Sequence, residues 1–194
     1  MKKIVLLVVV FLSVLLITGC DLSENQGINK SISKTSITKK GLKSYRCKVS
    51  INSKDDSISY IVLNNNNKNY VISLSTKDGM FSYEIKEGRV IAKDNSYINN
   101  NYDYTNTDMF INGLANVEEK SVKTEKIDKK EYMKYEFNIS KSELNKMLSS
   151  FNMKAKKDGN GFVYIDKDNH IYIIKYLVDD ITMNISYTSY NDVK

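Results

Sequence analysis

Strict alternation of apolar and polar residues restricts the fold of this 194-residue chain more than any other feature. In "YRCKVSIN", which starts at residue 45, the apolar side chains occupy every second position: Tyr45, Cys47, Val49 and Ile51. Alternate side chains of a strand point to the same face, so this segment predicts a strand with one buried side. On that side Cys47 is expected to be a small buried hydrophobe, with a reactive thiol as the alternative.

The same alternation returns many times, and short polar clusters such as "SKDD", "NNNNK" and "TKDG" separate the early segments. The alternating segments are residues 58–62, 70–74, 81–85, 133–139 and 181–188, and further strands are expected at residues 89–93 and 162–166. Clusters of Asn, Asp and Gly at short spacing favour hairpins over crossover helices. The chain is therefore expected to form a meander of antiparallel strands, with the highly charged residues 117–127 as an exposed edge strand.

The segment "SKSELNKMLSSF", residues 140–151, has helical periodicity instead. Ser140 and Glu143 have the spacing of a capping box, in which each side chain satisfies a backbone N–H at the helix start. The apolar positions that follow recur at helical spacing and are Leu144, Met147, Leu148 and Phe151. This pattern predicts an amphipathic helix. The segment "IYIIKYLV", residues 171–178, is apolar on both faces and is the strand that the helix is expected to cover.

A second, shorter helix is expected in the middle of the chain, with Thr105 or Asn106 as its N-cap and Met109, Phe110 and Leu114 near helical spacing. Many strands and one or two short helices indicate a mainly β fold of the α+β class.

The N-terminal segment has the features of a secretory signal peptide. Lys2 and Lys3 precede an apolar run that continues to Ile17, which is too short for a comfortable transmembrane span of about 20 residues. The last four residues of this region, "ITGC", resemble the lipobox of bacterial lipoproteins. The resemblance implies cleavage before Cys20, acylation of its thiol, and attachment to the extracytoplasmic face of the cell membrane. The alternative is an ordinary secretory signal in which Cys20 occurs by chance.

These features divide the chain into a signal peptide at residues 1–19, a lipidated polar tether at 20–42 and one domain at 43–194. Once Cys20 is acylated, Cys47 is the one remaining cysteine, so no intrachain disulfide is expected. Abundant Asn, Lys, Ile and Tyr, with no Pro or Trp, suggest an AT-rich genome and a Gram-positive source.

Three segments of the domain resemble the lipoprotein carriers of the LolA-like and LppX-like group: "LKSYRCKVSI", "YEFNISKSELNKML" and "GFVYIDKDNHIYIIKYLVDDITMNISYTSYN". The resemblance implies a single curved antiparallel sheet, curled into a half-barrel and covered by one or two short helices. It also implies an interior that accepts acyl chains.

Residues suited to catalysis are scarce. His170 is the only histidine, so neither a histidine-based triad nor a multi-histidine metal site can be assembled. It ends "DKDNH", which has oxygen ligands at calcium-like spacing but lacks the glycine and the distant glutamate of a calcium loop. A turn with positive φ at Asn169 or His170 is favoured instead. We therefore expect no enzymatic activity, no cofactor and no metal. A nucleic-acid partner is not expected either, because the basic residues of the domain are interleaved with acidic ones.

Two functions of different classes follow from these expectations. The first is binding or carrying an apolar ligand, a lipid, between the sheet and the helix. Its lining residues are expected to be Met109, Phe110, Leu114, Leu144, Met147, Leu148 and Phe151. The second is a surface adaptor or inhibitor module that binds a protein or a cell-wall polymer through an edge strand or through tyrosines with polar tips. The expected rim or partner-binding residues are Tyr97, Tyr102 and Tyr104. A hydrolase is the least favoured alternative.

Overall fold

The computed structural model describes residue 28 and residues 44–65, 69–76, 79–87, 89–92 and 104–191. These form ten strands and two short α-helices. The strands are β1 Ser44–Asn52, β2 Ser57–Asn65, β3 Asn69–Thr76, β4 Gly79–Lys86, β5 Arg89–Ala92, β6 Glu118–Ile127, β7 Lys130–Ile139, β8 Gly159–Asp166, β9 Ile171–Val178 and β10 Ile181–Thr188. The helices are α1 Asp108–Asn112 and α2 Lys141–Leu148, followed by the 3-10 turns Gly113–Asn116 and Ser149–Phe151 respectively.

All ten strands belong to one antiparallel sheet in the order β5-β4-β3-β2-β1-β10-β9-β8-β7-β6. Neighbours in space are neighbours in sequence except at the centre, where β10 pairs with β1. The strands β5 and β6 therefore form the two edges, and the chain between them must pass from one edge of the sheet to the other. Residues 104–116, which contain α1, make this crossing and are called the cover segment below. The expected mainly β, half-barrel fold with two short covering helices is confirmed.

The core lies on one face of the sheet, which is called the inner face below. In β1 the side chains of Cys47, Val49 and Ile51 are completely buried there, while Arg46 and Lys48 on the other face are exposed. Strict alternation of this kind fixes the pairing register, because a slip of one residue would move every apolar side chain into solvent.

The strand β9 departs from simple alternation because it carries a bulge. Tyr164 of β8 pairs with Ile173, but the next residue, Ile165, pairs with Ile171, so Tyr172 is an extra residue. A bulge shifts the phase of the strand, and Ile171 therefore faces the core together with Ile174. The segment "IYIIKYLV" looks apolar on both faces partly because the bulge changes which of its residues point to the core. The helix α2 lies on the inner face of the sheet, while aromatic rings partly cover the outer face of β9, where Tyr172 stacks on Tyr132 with 4.8 Å between ring centroids.

The amphipathic helix predicted at residues 140–151 forms as α2 and the 3-10 turn that follows it. The Ser140 hydroxyl accepts a hydrogen bond from the backbone N–H of Glu143 at 3.3 Å, which is one of the two bonds of the predicted capping box. The Glu143 carboxylate accepts a hydrogen bond from Lys146 at 2.5 Å on the exposed side of the helix. The start of α1 differs from expectation, since its N-cap is Thr107 and not Thr105 or Asn106.

The charged residues 117–127 form the edge strand β6, as predicted. Within β6, Lys123 Nζ lies 2.8 Å from Glu125 Oε1. Lys134 of β7 lies 2.8 Å from Glu136 and 3.7 Å from Glu125. Charged side chains of this kind discourage the pairing of an open edge with another chain.

One residue of the expected tether is described, and it is not free. Ile28 has helical backbone, is 2% exposed and belongs to the apolar core. Its backbone N–H donates a hydrogen bond to Glu119 at 2.5 Å. At this residue the expected tether is therefore packed against the domain, where burial of the isoleucine side chain is favourable. Residues 1–19, Cys20, Tyr97 and Tyr102 lie outside the described part of the chain. Within the described residues, no helix has the length and apolar character needed to cross a bilayer.

Candidate functional site

The seam between the inner face and the helices brings together the residues predicted to line a ligand site. Six of them are no more than 4% exposed: Phe110, Leu114, Leu144, Met147, Leu148 and Phe151. The seventh, Met109, is half-buried and packs against the same core. The aromatic rings of the two covering elements stack, since the ring of Phe110 lies 6.4 Å from that of Phe151 at an interplanar angle of 17°.

Aromatic side chains of the sheet complete this seam. The ring of Tyr60 on β2 stacks on Phe151 at 6.2 Å, and Tyr176 on β9 meets Phe137 edge-on at 5.6 Å. The sequence did not indicate that these tyrosines belong to the seam. Alternation shows that a tyrosine faces inward, but it does not show which part of the inner face the helices cover.

Close contacts at glycines show how tightly the seam is packed. A Cβ atom on Gly113 would lie 3.0 Å from Met147 Sδ and 3.3 Å from the Tyr176 hydroxyl. A Cβ atom on Gly161 would lie 2.8 Å from the Phe137 ring and 2.1 Å from the Lys175 carbonyl oxygen. Around these glycines the interior is filled by the protein's own side chains, so an apolar ligand could enter only if some of them moved.

The cover segment is fastened to the sheet by three tyrosine hydroxyls. The Tyr187 hydroxyl donates to the carbonyl oxygen of Thr107 at 2.9 Å, and the Tyr45 hydroxyl lies 2.8 Å from Thr107 Oγ1. The Tyr176 hydroxyl donates to the carbonyl oxygen of Phe110. Burial raises the pKa of Tyr176 and of Tyr187 well above 10, so both hydroxyls keep their protons at neutral pH.

Local hydrogen bonds hold the second covering element, α2. Asn145 Oδ1 accepts from the backbone N–H of Ala155 at 2.7 Å, and Asn145 Nδ2 donates to the Ala155 carbonyl at 3.4 Å. Asp158 accepts from the backbone N–H of Lys141 at 2.7 Å. These bonds lie within the connection between β7 and β8. The helix α2 is therefore bound to its own loop as well as to the sheet.

Tyr104 does not form an exposed rim. Its side chain is buried in the core, where its ring meets those of Tyr60 and Tyr83 edge-on at 5.1 and 6.4 Å. The irregular, asparagine-rich sequence around it suggested an exposed loop, but the chain here enters the cover segment and crosses the inner face. Tyr104 is therefore a core residue and not the exposed rim residue that was expected.

Two depressions lie at opposite ends of the strands. A depression of about 560 Å³ is lined by the ends of β6, β7 and β8. In it Met133 is 39% exposed, although the alternation along β7 directs its side chain to the inner face. Another, of about 480 Å³, lies beside the start of α2 and is lined by Asn116, Glu118, Asn138, Ile139, Ser140, Asp158, Gly159 and Asn160. Both volumes are in the range of small-ligand pockets. Most residues around each depression are charged or polar, but apolar atoms form most of the surface of the first depression.

The histidine turn behaves as a turn. Asp166 Oδ1 accepts from the backbone N–H groups of Asp168 and His170 at 2.9 and 2.8 Å, and Asn169 has φ of 61°. The prediction of positive φ is thus confirmed for Asn169. Ligand atoms of Asp166, Asp168 and His170 lie within 4.8 Å of one another. The Asp166 carboxylate already serves the turn, and the His170 ring stacks on Tyr190 at 4.4 Å.

The thiol of Cys47 is completely buried on the inner face of the sheet, and burial raises its pKa. A thiol reacts as the thiolate, so this environment favours the unreactive alternative.

The outer face of the sheet carries a second aromatic group, formed by Tyr132, Phe162, Tyr164 and Tyr172. The Lys134 ammonium lies 4.8 Å from the centre of the Phe162 ring, in cation–π geometry. The Tyr164 hydroxyl donates to Glu125 at 2.5 Å. No local pattern of the sequence predicts this group, because its members come from three strands and meet only when those strands pair.

Comparison with known proteins gives information on the fold. No protein-family model matches the chain, and no curated protein matches its sequence. Among solved structures, the chain is similar to LprF from Mycobacterium bovis, with 12% identity, a TM-score of 0.56, and coverage of 84% of this chain and 92% of LprF. It is also similar to the lipoprotein LppX from Mycobacterium tuberculosis, with 15% identity, a TM-score of 0.56, and coverage of 86% and 98%.

A LolA superfamily protein from Nitrosomonas europaea matches 84% of this chain and 91% of its own, with 11% identity and a TM-score of 0.31. At such identities the likeness to LprF and LppX concerns the fold alone. That part of the expected resemblance, the half-barrel of the LppX-like group, is confirmed.

Proposed function

We propose that this protein is a lipoprotein, anchored through acylated Cys20 on the extracytoplasmic face of the membrane, which binds an apolar chain between the inner face and its helices. It acts by binding, without catalysis. The observation that carries the proposal is the architecture: the apolar inner face of a half-barrel is covered by two short helical elements rather than by a second sheet. The similarity of this fold to that of the lipoprotein LppX supports the same reading.

Because the seam is filled, binding requires that one covering element moves. The cover segment is the better candidate, since α1 has only five residues and the side chain of its N-cap, Thr107, does not cap the helix. Each of its three tyrosine hydrogen bonds contributes about 1 kcal/mol, so local opening is less costly than global unfolding. Met109 on the cover segment and Met147 on α2 have flexible thioether side chains that adapt to a chain lying between them.

The absence of tryptophan from the sequence allows a direct test. In the Phe151→Trp variant, the single indole lies in the seam next to Phe110 and Tyr60 and reports on it. In the matched Tyr172→Trp variant, the indole lies on the outer face. A brominated fatty acid quenches a tryptophan that it contacts, so we expect quenching for Phe151→Trp and little for Tyr172→Trp. Equal quenching of the two, or none, together with no amphiphile in native mass spectra of detergent-free protein, would refute ligand binding at the seam.

A second candidate function is a surface adaptor or inhibitor module that binds a protein or a cell-wall polymer. Two observations favour it: the filled seam, and the aromatic group on the outer face, where Tyr172 and Phe162 are partly exposed. Under this hypothesis Tyr172→Ala together with Phe162→Ala abolishes capture of wall fragments or of the partner. The lipid-binding hypothesis predicts that the same two substitutions, introduced into the Phe151→Trp protein, leave the quenching of its tryptophan by the brominated fatty acid unchanged.

A further inference from the structure

The position of Ile28 determines which end of the half-barrel lies near the membrane. The strands run between two ends. The Glu118 end comprises the start of β6, the start of α2 and the turn at Asp179. The His170 end comprises the turn between β8 and β9, the turn at Asp128 and the start of β1 at Ser44. Ile28 is fixed at the Glu118 end, because its N–H donates to Glu119 and its side chain is buried in the core.

The short distance along the chain from Cys20 to Ile28 makes this contact decisive. The eight peptide links between them extend to at most about 29 Å and have a mean reach of about 16 Å if flexible. The two ends of the sheet are about 30 Å apart, as the ten residues of β7 show. A lipid on Cys20 therefore holds the Glu118 end close to the bilayer and leaves the His170 end remote.

A free tether would give the opposite orientation. If Ile28 were not docked, the first fixed residue would be Ser44, which lies at the His170 end. The 24 links from Cys20 to Ser44 have a mean reach of about 27 Å, and the end nearest to their attachment would approach the membrane more often. The two arrangements are thus distinguished by which end lies closer to the lipid.

We infer that the Glu118 end is the membrane-facing surface of this protein, and that docking of Ile28 beside Glu119 sets this orientation against a lipid bilayer. The inference rests on the proposed anchoring through Cys20. It also deepens the proposed function, since the turn Gly113–Asn116 of the cover segment and the start of α2 both lie at this end. The seam between them then faces the bilayer from which an acyl chain comes.

The test uses single-tryptophan variants of the chain from Cys20 onward, coupled at the Cys20 thiol to a maleimide lipid in phosphatidylcholine vesicles that contain a dansyl lipid. The buried Cys47 does not compete for the maleimide. Ala115→Trp places the donor at the Glu118 end, and Lys167→Trp places it at the His170 end, both at exposed positions. Energy transfer to the dansyl headgroup falls steeply with distance, so we expect several-fold greater transfer from Ala115→Trp. Equal transfer, or greater transfer from Lys167→Trp, would overturn the inference.

Two insertions test whether Ile28 is responsible. A flexible Gly/Ser insert between residues 20 and 28 lengthens the attachment and is expected to reduce transfer from Ala115→Trp several-fold. The same insert within residues 29–43 lies beyond the docked residue and should leave transfer unchanged. If both inserts have the same effect, Ile28 does not fix the chain. Ile28→Asp, which removes the buried side chain, is expected to reverse the order of transfer at the two ends.

Chemical coupling keeps this result separate from the proposed function. If cells do not acylate Cys20, the mass of the protein extracted from membranes lacks the acyl chains, and the proposed anchoring fails while the vesicle measurement still reports on the docking of Ile28. If the seam binds no lipid, the Phe151→Trp reporter is not quenched, and the orientation measurement is again unaffected.

Discussion

Removal of the Tyr187 hydroxyl is the sharpest test of how the cover segment is held. Tyr187 lies in β10 and Thr107 precedes α1, and both are buried. Tyr187→Phe therefore deletes the buried hydrogen bond of 2.9 Å to Thr107, together with a weak one to the Cys47 thiol, without changing the ring. The Thr107 carbonyl also accepts from the backbone N–H of Phe110 at 3.3 Å and is not left wholly unsatisfied. The cost should therefore be near the net value of a hydrogen bond, about 1 to 1.5 kcal/mol, and below the upper value of about 3 kcal/mol for an orphaned acceptor.

The same reasoning predicts a local effect. The cover segment is bound at Thr107 by Tyr187 and at Phe110 by Tyr176, so the combined Tyr176→Phe and Tyr187→Phe variant should open at residues 107–112 before the sheet unfolds. The two sites are three residues apart, and their effects need not be additive. Urea unfolding measures the total cost, and amide hydrogen exchange shows where protection is lost.

Two results would refute this account of the cover segment. The first is an unchanged urea midpoint in the double variant. The second is a loss of exchange protection that is equal in α1 and in the central strands β1 and β10. Tyr172→Phe serves as the control, since its ring lies on the outer face and its hydroxyl makes no contact with the cover segment, and we expect a change within about 0.5 kcal/mol. If the proposed function is correct, the double variant also takes up a brominated fatty acid faster in the Phe151→Trp background.

Three further predictions follow from the packing and the electrostatics. Gly161→Ala should destabilise the fold by at least about 2 kcal/mol, because the added Cβ meets a strand carbonyl at 2.1 Å, whereas Asn160→Ala next to it should be nearly neutral in the same urea titration. Hydrogen bonds from Lys123 and then from Tyr164 lower the pKa of Glu125 from 4.5 to about 2. Its contribution to stability is therefore present above pH 4.5 and is lost as the pH falls towards 2, and Glu125→Gln should flatten that part of an acid titration followed by circular dichroism. Cys47 should resist iodoacetamide in the native protein and react fully in urea; rapid alkylation of the folded protein would contradict its burial.

The sheet and its strong helix could be predicted from local patterns. In β1 the alternation of Tyr45, Cys47 and Val49 specifies which side is buried whatever the strand pairs with, because neighbouring side chains of a strand always point to opposite faces. The same holds for α2, where Leu144 and Met147 share a face at helical spacing and Ser140 caps the start. These features depend on residues only a few positions apart, so a short window of the sequence is enough to predict them. The resemblance to the LppX-like group rested on their order along the chain, and it led to the correct fold.

The candidate site could not be predicted from local patterns, because contacts between residues far apart in sequence form it. Pairing of β10 with β1 makes β5 and β6 the two edges, which sends the cover segment across the inner face and buries Tyr104 where an exposed rim was expected. The bonds from Tyr176 and Tyr187 to the cover segment span 66 and 80 residues, and the contact of Ile28 with Glu119 spans 91. Periodicity predicts the face on which a side chain lies. The residue that it contacts on that face depends on the free energy of packing the whole chain, so no local pattern predicts the contact.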